Sequence, residues 1–444
     1  MTTTINNEQK KLNFSSEREQ SQACLNSAEH EKNQGRKVLN VPNKREQNQT
    51  CLDSAEREGL RPKGNVPNLR FKEFQGEWEK TTIGEIATIK NGPFGSVLHA
   101  EDYVDEGMPI VTTEHFKSGN LPLSKNGIPQ VSEDDYCRLK GYMLETDDIV
   151  FSRVGSVDIN AHVEHVQQGW LFSGRVLRVR PIKSVNSLCL HYVLSTESVK
   201  RDIRNRAVGQ TMPSINTPIL SNTGIYMSQS EAEQKKIANL LSIIDERIAT
   251  HNKIIEDLKK LKSAISENLF KDVKGNIVML SEICEIIKGK QINGEFLSES
   301  GKYYVMNGGT EPSGYYSDYN VEANTISISE GGNSCGYIQF NPSPFWSGGH
   351  CYTIQKIADN VDNLYLYHYL KSQEDAIMKL RIGSGLPNIQ KKDLAMFKIK
   401  IPAVEQQRTI STFLSSIERK AEIEEMLLNA MKKEKQYLLR QMFI

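Results

Sequence analysis

Residues 233–248 read EQKKIANLLSIIDERI, and residues 406–421 read QQRTISTFLSSIERKA. Stepping alternately four and three positions from Ile237 meets Leu241, Ile244, Ile248, His251, Ile255, Leu258, Lys262, Ile265 and Leu269. The same steps from Ile410 meet Leu414, Ile417, Ala421, Glu424, Leu428, Met431, Lys435, Leu438 and Met442. Eight of the ten positions in each run are apolar, which marks a coiled-coil seam rather than an ordinary surface helix. Neither run contains proline or glycine, so each predicts one helix of about 50 Å at ~1.5 Å per residue. A seam of that length needs a partner, and a second copy in the same chain is present at high effective concentration. The two polar breaks fall at the same steps in both copies. They either set the register of the pair or mark where a seam leaves its partner.

Outward from the helices the chain repeats itself. IGEIATIKNG (83–92) returns as LSEICEIIKG (280–289), LFSG (171–174) resembles FWSG (345–348), HYVLS (191–195) resembles HYLKS (368–372), and GQTMPSI (209–215) resembles GSGLPNI (383–389). Short β-rich runs such as GIYM, DIVFS, VLRVRP and TISIS sit between Gly, Pro and Asn turn signals. The expected fold is therefore α+β: two pseudo-repeated globular modules separated by two long helices paired antiparallel, with one module at each end of a rod. The predicted divisions are a leader at 1–68, a module at 69–208, a long-helix segment at 209–271, a second module at 272–382 and a second long-helix segment at 383–444. The leader is polar and repeats CLNSAEHE as CLDSAERE, which predicts a flexible segment with little apolar surface to offset the entropy of ordering.

Composition excludes several classes. The 444 residues exceed one compact core, and lysine plus arginine balance aspartate plus glutamate at 55 each, so any nucleic-acid surface is a local patch. No apolar run approaches the ~20 residues of a membrane span and no signal peptide is legible, so the expected location is the cytoplasm. The cysteines at 24, 51, 137, 189, 284, 335 and 351 are scattered, odd in number and form no CxxC. The chain has no GxxxxGK[ST] phosphate loop, HExxH or GxSxG. His162 and His165 lie in an alternating segment and read as residues on opposite faces. NPSPF (341–345) is a near miss for the Asn-Pro-Pro-aromatic motif of adenine methyltransferases, spoiled by the inserted serine. No catalytic residue and no metal site is expected.

Duplicated modules, paired helices and no catalytic site together resemble the DNA-specificity subunit of type I restriction-modification systems. The resemblance covers roughly residues 66–444 and rests on PNLRFKEFQGEWEKTTIGEI (67–86), GSGLPNI (383–389) and the helix start at Glu233, Gln234 and Ile237; the second start departs from it with Gln406 in place of Glu. The resemblance implies a noncatalytic protein in which each module reads one half of a split site on double-stranded DNA. It implies further that the helices fix the gap and dock two methyltransferase subunits, with restriction and motor subunits as further partners. S-adenosylmethionine, ATP and Mg are then expected on those partners, and no cofactor on this chain. Alternatives are a protein-binding coiled-coil scaffold without a DNA role and the recognition half of a fused restriction-modification enzyme.

Candidate DNA contacts follow. Lys200, Arg201, Arg204 and Arg206 precede the small-residue loop at Gly209 and Gln210, and Lys379 and Arg381 precede the loop at Gly383, Ser384 and Gly385, where backbone N–H groups can approach a phosphate. The same residues also read as a solvated helix end and a hinge. SRVGSVDIN (152–160) and SEGGNSCG (329–336), with Arg153, Ser156 and Asn333, are a second pair. If they are equivalent, Arg153 stands where the other module has Glu330, and arginine pairs with guanine O6 and N7 whereas glutamate accepts from cytosine N4. Arg153 equally reads as an ordinary carboxylate or phosphate partner. Lys90, Asn91, Lys288 and Lys290 complete the candidates at the KNG and KGK turns.

Overall fold

The structure, a computed structural model, describes residues 64–93, 98–383 and 385–444. Most of the leader and Ser384 lie outside the described residues. Residues ahead of Leu69 already belong to the packed module: Pro67 is buried and the Trp78 N–H donates to the Asn65 carbonyl at 2.7 Å.

Module 1 is built on a four-stranded antiparallel sheet of β1 (Ala87–Asn91), β2 (Ile149–Ser152), β3 (Asn160–His162) and β4 (Val176–Pro181), in the order β1-β4-β2-β3. Two helices follow, α1 (Ser187–Leu194) and α2 (Glu197–Arg206). The Asn186 side chain caps α1 by accepting from the Cys189 N–H at 2.8 Å. Then comes α3 (Glu231–Asp272), whose N-cap Ser230 accepts from the Glu233 N–H.

Module 2 repeats the plan with β5 (Glu285–Lys288), β6 (Thr325–Ser329), β7 (Ile338–Asn341) and β8 (Cys351–Gln355) in the order β5-β8-β6-β7. The capped helix α4 (Asn363–Ser372) and the long α5 (Val404–Gln441) follow. Both sheets share one antiparallel topology, so the repeat read from short words is a repeat of fold.

The long helices pair antiparallel. His251 meets Glu424 at 2.5 Å, Lys262 meets Glu418 at 2.7 Å and Asp245 meets Lys435 at 2.5 Å, with numbers rising on one helix as they fall on the other. Every seam position from Ile237 to Leu269 and from Ile410 to Met442 is buried or half-buried. The polar breaks at His251 and Lys262 therefore lie inside the pair.

The seam is two-stranded only in its middle. Ile237 and Leu241 enter the core of module 1 together with Met442 and Phe443, whereas Ile410 and Leu414 enter the core of module 2 with Phe270 and Val273. Each module thus receives the start of its own helix and the end of the other. The α3 helix begins at Glu231 rather than 209. Residues 209–230 hold a hairpin loop, a short helix (Thr217–Ser221) and a strand (Gly224–Met227) that pairs with Glu79–Thr82 of module 1. Similarly, residues 383–403 include the strand Lys398–Ile401, paired with Asn276–Met279 of module 2.

Gln234 and Gln407 hold each joint. The Asn186 N–H donates to the side-chain Oε1 of Gln234 at 2.7 Å, and the Asp362 N–H to Oε1 of Gln407 at 2.8 Å. Glu233, fully buried, receives Arg70 at 2.6 and 2.8 Å, while Gln406 is exposed. The departure at 406 has a physical reason: a buried carboxylate needs a cation, and an exposed position does not.

Candidate nucleic-acid interface

At the end of β2 the Arg153 N–H donates to the Arg175 carbonyl at 3.0 Å, and at the end of β6 the Glu330 N–H donates to the His350 carbonyl at 2.9 Å. The two positions are thus equivalent, and so are Arg175 and His350. Behind each lies the same hairpin. Val208 and Ser214 exchange two backbone bonds, as do Ile382 and Asn388. The Ile215 N–H then reaches the Arg153 carbonyl and the Ile389 N–H the Glu330 carbonyl, both at 2.9 Å. Gly209 and Gly383 turn these hairpins at φ of 100° and 95°, which L side chains adopt only under strain. Their tips expose Met212 and Leu386, the latter 85% accessible.

The two reading positions have opposite chemistry. Arg153 is half-buried, donates to the Gly174 carbonyl at 3.0 Å, and lines a cleft of about 480 Å³ with Tyr103, Thr112, Glu114 and Arg175. Glu330 is largely buried. Its Oε1 accepts from Lys288 at 2.5 Å and from the Tyr352 hydroxyl at 3.0 Å, while Oε2 faces His350 Nδ1 at 3.7 Å. Glu330 lines an opening of about 430 Å³ with Gly383, Leu386, Asn388 and Lys391. Burial first, and then the bond to Glu330, push the Tyr352 phenol up, so it stays a donor.

The other sequence candidates divide. Ser156, Gln210, Lys290, Asn333, Lys379, Arg381 and Arg201 are exposed. Arg204 is instead clamped between Asp158 and Glu197, and Arg206 bonds Asp202 and the Asn222 carbonyl, because both lie where α2 meets the loops of its own module. Those two charges are already used in positioning the Asp158 loop and the helix end. Lys90 and Asn91 end β1 rather than forming a turn, and the Lys90 ammonium is held by the Gly141 carbonyl at 2.7 Å above the Tyr142 ring. Lys288 likewise ends β5, committed to Glu330. Ser384 lies outside the described residues.

His162 faces Asp147 at 3.2 Å while His165 is exposed in the next turn, and among the described residues no group of three His, Cys, Asp or Glu is placed to hold a metal. Asn341 of NPSPF is fully buried, spends both amide donors on the Thr325 carbonyl and Ser327 at 2.9 Å each, and accepts from Tyr304 at 3.1 Å, so its side chain is built into the interior and out of reach of a base. Among the described residues no helix is long and apolar enough to cross a membrane.

Sequence reading missed Arg175 and His350. The match of LFSG to FWSG is one residue out of step with the hydrogen bonds, which set Leu171 opposite Ile110 and Trp346 opposite Val305. In that register Gly174 corresponds to Gly349, and the residue after each is the missed one.

A family model described as "Type I restriction modification DNA specificity domain" matches residues 75–260 and 273–433. A putative type I restriction enzyme specificity subunit of Methanocaldococcus jannaschii is 27% identical over 410 residues, covering 81% of this chain and 91% of the relative. A putative type I specificity subunit of Mycoplasma pneumoniae is 33% identical over 165 residues, covering 37% and 42%. A crystal structure of a type I restriction-modification S subunit from M. genitalium superposes with a TM-score of 0.64 at 20% identity, covering 85% of this chain and 99% of that one, a likeness of fold.

Proposed function

Because the chain belongs to the family of type I restriction-modification DNA specificity proteins, we propose that it is the noncatalytic recognition subunit of such a complex. Module 1 reads one half of a split site on double-stranded DNA and module 2 the other. The observation that carries this reading is the pair of equivalent positions with opposite chemistry, Arg153 with Arg175 in one module and Glu330 with His350 in the other. A frame made twice with different residues at one equivalent position suits two readers of unlike sequence. Arg153 offers paired donors to guanine O6 and N7, and Glu330 an acceptor to cytosine N4. Arg201, Lys290, Lys379 and Arg381 supply charge toward phosphates.

The helix pair separates the readers, as half-site spacing follows architecture in dimeric DNA-binding proteins. Its outward face exposes Ile243, Phe413 and Met426, the last 64% accessible, and serves as the docking surface for two methyltransferase subunits. Restriction and motor subunits join through that assembly, and S-adenosylmethionine, ATP and Mg belong to the partners.

Methylation sequencing of a host carrying the complete system tests this directly. The expected result is one modified split motif with a fixed gap. Mobility shifts of the chain with its methyltransferase partner should then show preference for that motif over random duplex. No binding to either duplex in that mixture refutes the reading.

A further inference from the structure

The inner polar breaks of the seams, His251 and Glu424, satisfy each other in the middle of the coil. The outer breaks, Lys262 and Lys435, each join three bodies. Lys435 of α5 bonds Asp245 of α3 at 2.5 Å and lies 5.4 Å from the ring centroid of Tyr192 in α1, whose hydroxyl donates to the same Asp245 at 2.8 Å. Lys262 of α3 bonds Glu418 of α5 at 2.7 Å and lies 5.7 Å from the ring centroid of Tyr367 in α4, whose hydroxyl donates to Glu418 at 3.0 Å. Every triad takes its tyrosine from a module, its carboxylate from that module's own long helix, and its lysine from the other helix.

Apolar burial holds module and coil together but is itself non-directional, and constrains the angle between them only through side-chain shape. Hydrogen bonds to charged groups are directional and stronger than neutral ones. The lysines and carboxylates are partly shielded, with side-chain accessibilities of 19% to 31%, so water replaces these bonds poorly. Beside the second triad, Lys262, Ser266, His368 and Lys371 line a cavity of about 590 Å³ between α3 and α4. Packing leaves a gap beside that joint, and Lys262 of the triad lies at its edge.

We propose that the two triads are positioning devices that set the tilt of each module on the coil, and thereby the number of base pairs accepted between the half-sites. This rests on the DNA-reading role above. The seam supplies the length of the spacer; the triads supply the angles at its ends.

The test uses the full chain assembled with its methyltransferase partner and duplexes carrying both half-sites, the gap running from two base pairs shorter to two longer than native. The unaltered complex should favour one gap by about tenfold or more in methylation rate, and the Tyr192→Phe, Tyr367→Phe double variant should favour it by only about threefold. Lys435→Met should broaden the preference in the same way and Lys435→Arg restore it. Thermal unfolding of the same proteins separates positioning from stability: variants that melt lower yet keep the full gap preference overturn the proposal. If the unaltered complex methylates every gap alike, or none, the recognition role itself falls and takes this proposal with it.

Discussion

In module 1, Ile149 and Phe151 of β2 point into the core shared with α1 and the coil, and Val150 points into a second apolar core with Phe116, Phe172 and Val176. In module 2, Ile326 and Ile328 of β6 enter the coil-side core in the same way, but Ser327 and Ser329 put hydroxyls on the other face, beside a smaller apolar cluster of Met306, Val321, Phe345 and Cys351. Ser327 accepts from Asn341 at 2.9 Å and Ser329 donates to the Gly308 carbonyl at 2.7 Å. The coil side is repeated almost group for group, from the capped helices to Gln234 and Gln407 to the two triads. The far side has been rebuilt, in its core as well as at Arg153 and Glu330. Docking onto a shared rod restrains one face of each sheet, and the reading face is free to differ.

Five experiments break or sharpen that contrast. The largest effect is expected at the shared joints. Phe270→Ala and Phe443→Ala each remove a buried ring and should cost about 3–5 kcal/mol, read by denaturant unfolding. Equal costs support equivalent joints, and a cost confined to one variant breaks the equivalence. Arg70→Ala leaves Glu233 buried without its cation and should cost about 3 kcal/mol, whereas Gln406→Ala should be near neutral.

On the reading face, Arg153→Ala should weaken binding of the motif by about 1–3 kcal/mol and relax sequence preference in one half-site only, with Glu330→Gln relaxing the other. Loss of preference in both halves from either change would show that the faces are not independent.

Acid should act on both modules, through His191 against the sheet at Asn160 and His368 against the coil at Ser415. Burial, reinforced by His162, depresses His191 to about 3, and burial, reinforced by Lys262, depresses His368 to about 4. The unfolded chain therefore binds protons below about pH 6.5 that the folded chain refuses. Stability is intact above that pH and falls as pH drops toward 4, by up to about 1.4 kcal/mol per pH unit for each histidine. His368→Asn should flatten part of that slope in pH-dependent melts. A small effect is expected for Arg206→Ala, about 0.2–1 kcal/mol, since its pair with Asp202 is exposed.

Much of this was legible in the sequence. The seam, its polar breaks, the repeat of the modules and the contrast of Arg153 with Glu330 all rest on spacing, which survives divergence. The errors arose where similar words do different work. HY occurs at 191–192 and 368–369, yet Tyr192 shares its role with Tyr367, and Tyr369 instead packs its ring against Phe270 at 5.2 Å. With the caps Asn186 and Asp362 superposed, the two helices place their tyrosines one position apart, a difference only three-dimensional contacts resolve. Arg204 and Arg206 show another limit: charge is visible in a sequence, but not which carboxylates it pairs with, whether near along the chain like Asp202 and Glu197 or distant like Asp158.

The placement of Phe443 beside Trp78, ring centroids 6.0 Å apart, and of Phe270 beside Tyr365 at 5.7 Å gives the molecule the connectivity of a closed circuit. Leaving module 1 along α3 leads into the core of module 2, and leaving module 2 along α5 leads back into the core of module 1, where the Leu69 N–H donates to the Gln441 carbonyl at 2.8 Å. Topologically neither module comes first. A circular permutant opened at Gly275, with the segment after Phe443 joined by a short linker to Gly64, would keep every joint described here, so the order in which the two readers are written is free of the structure they form.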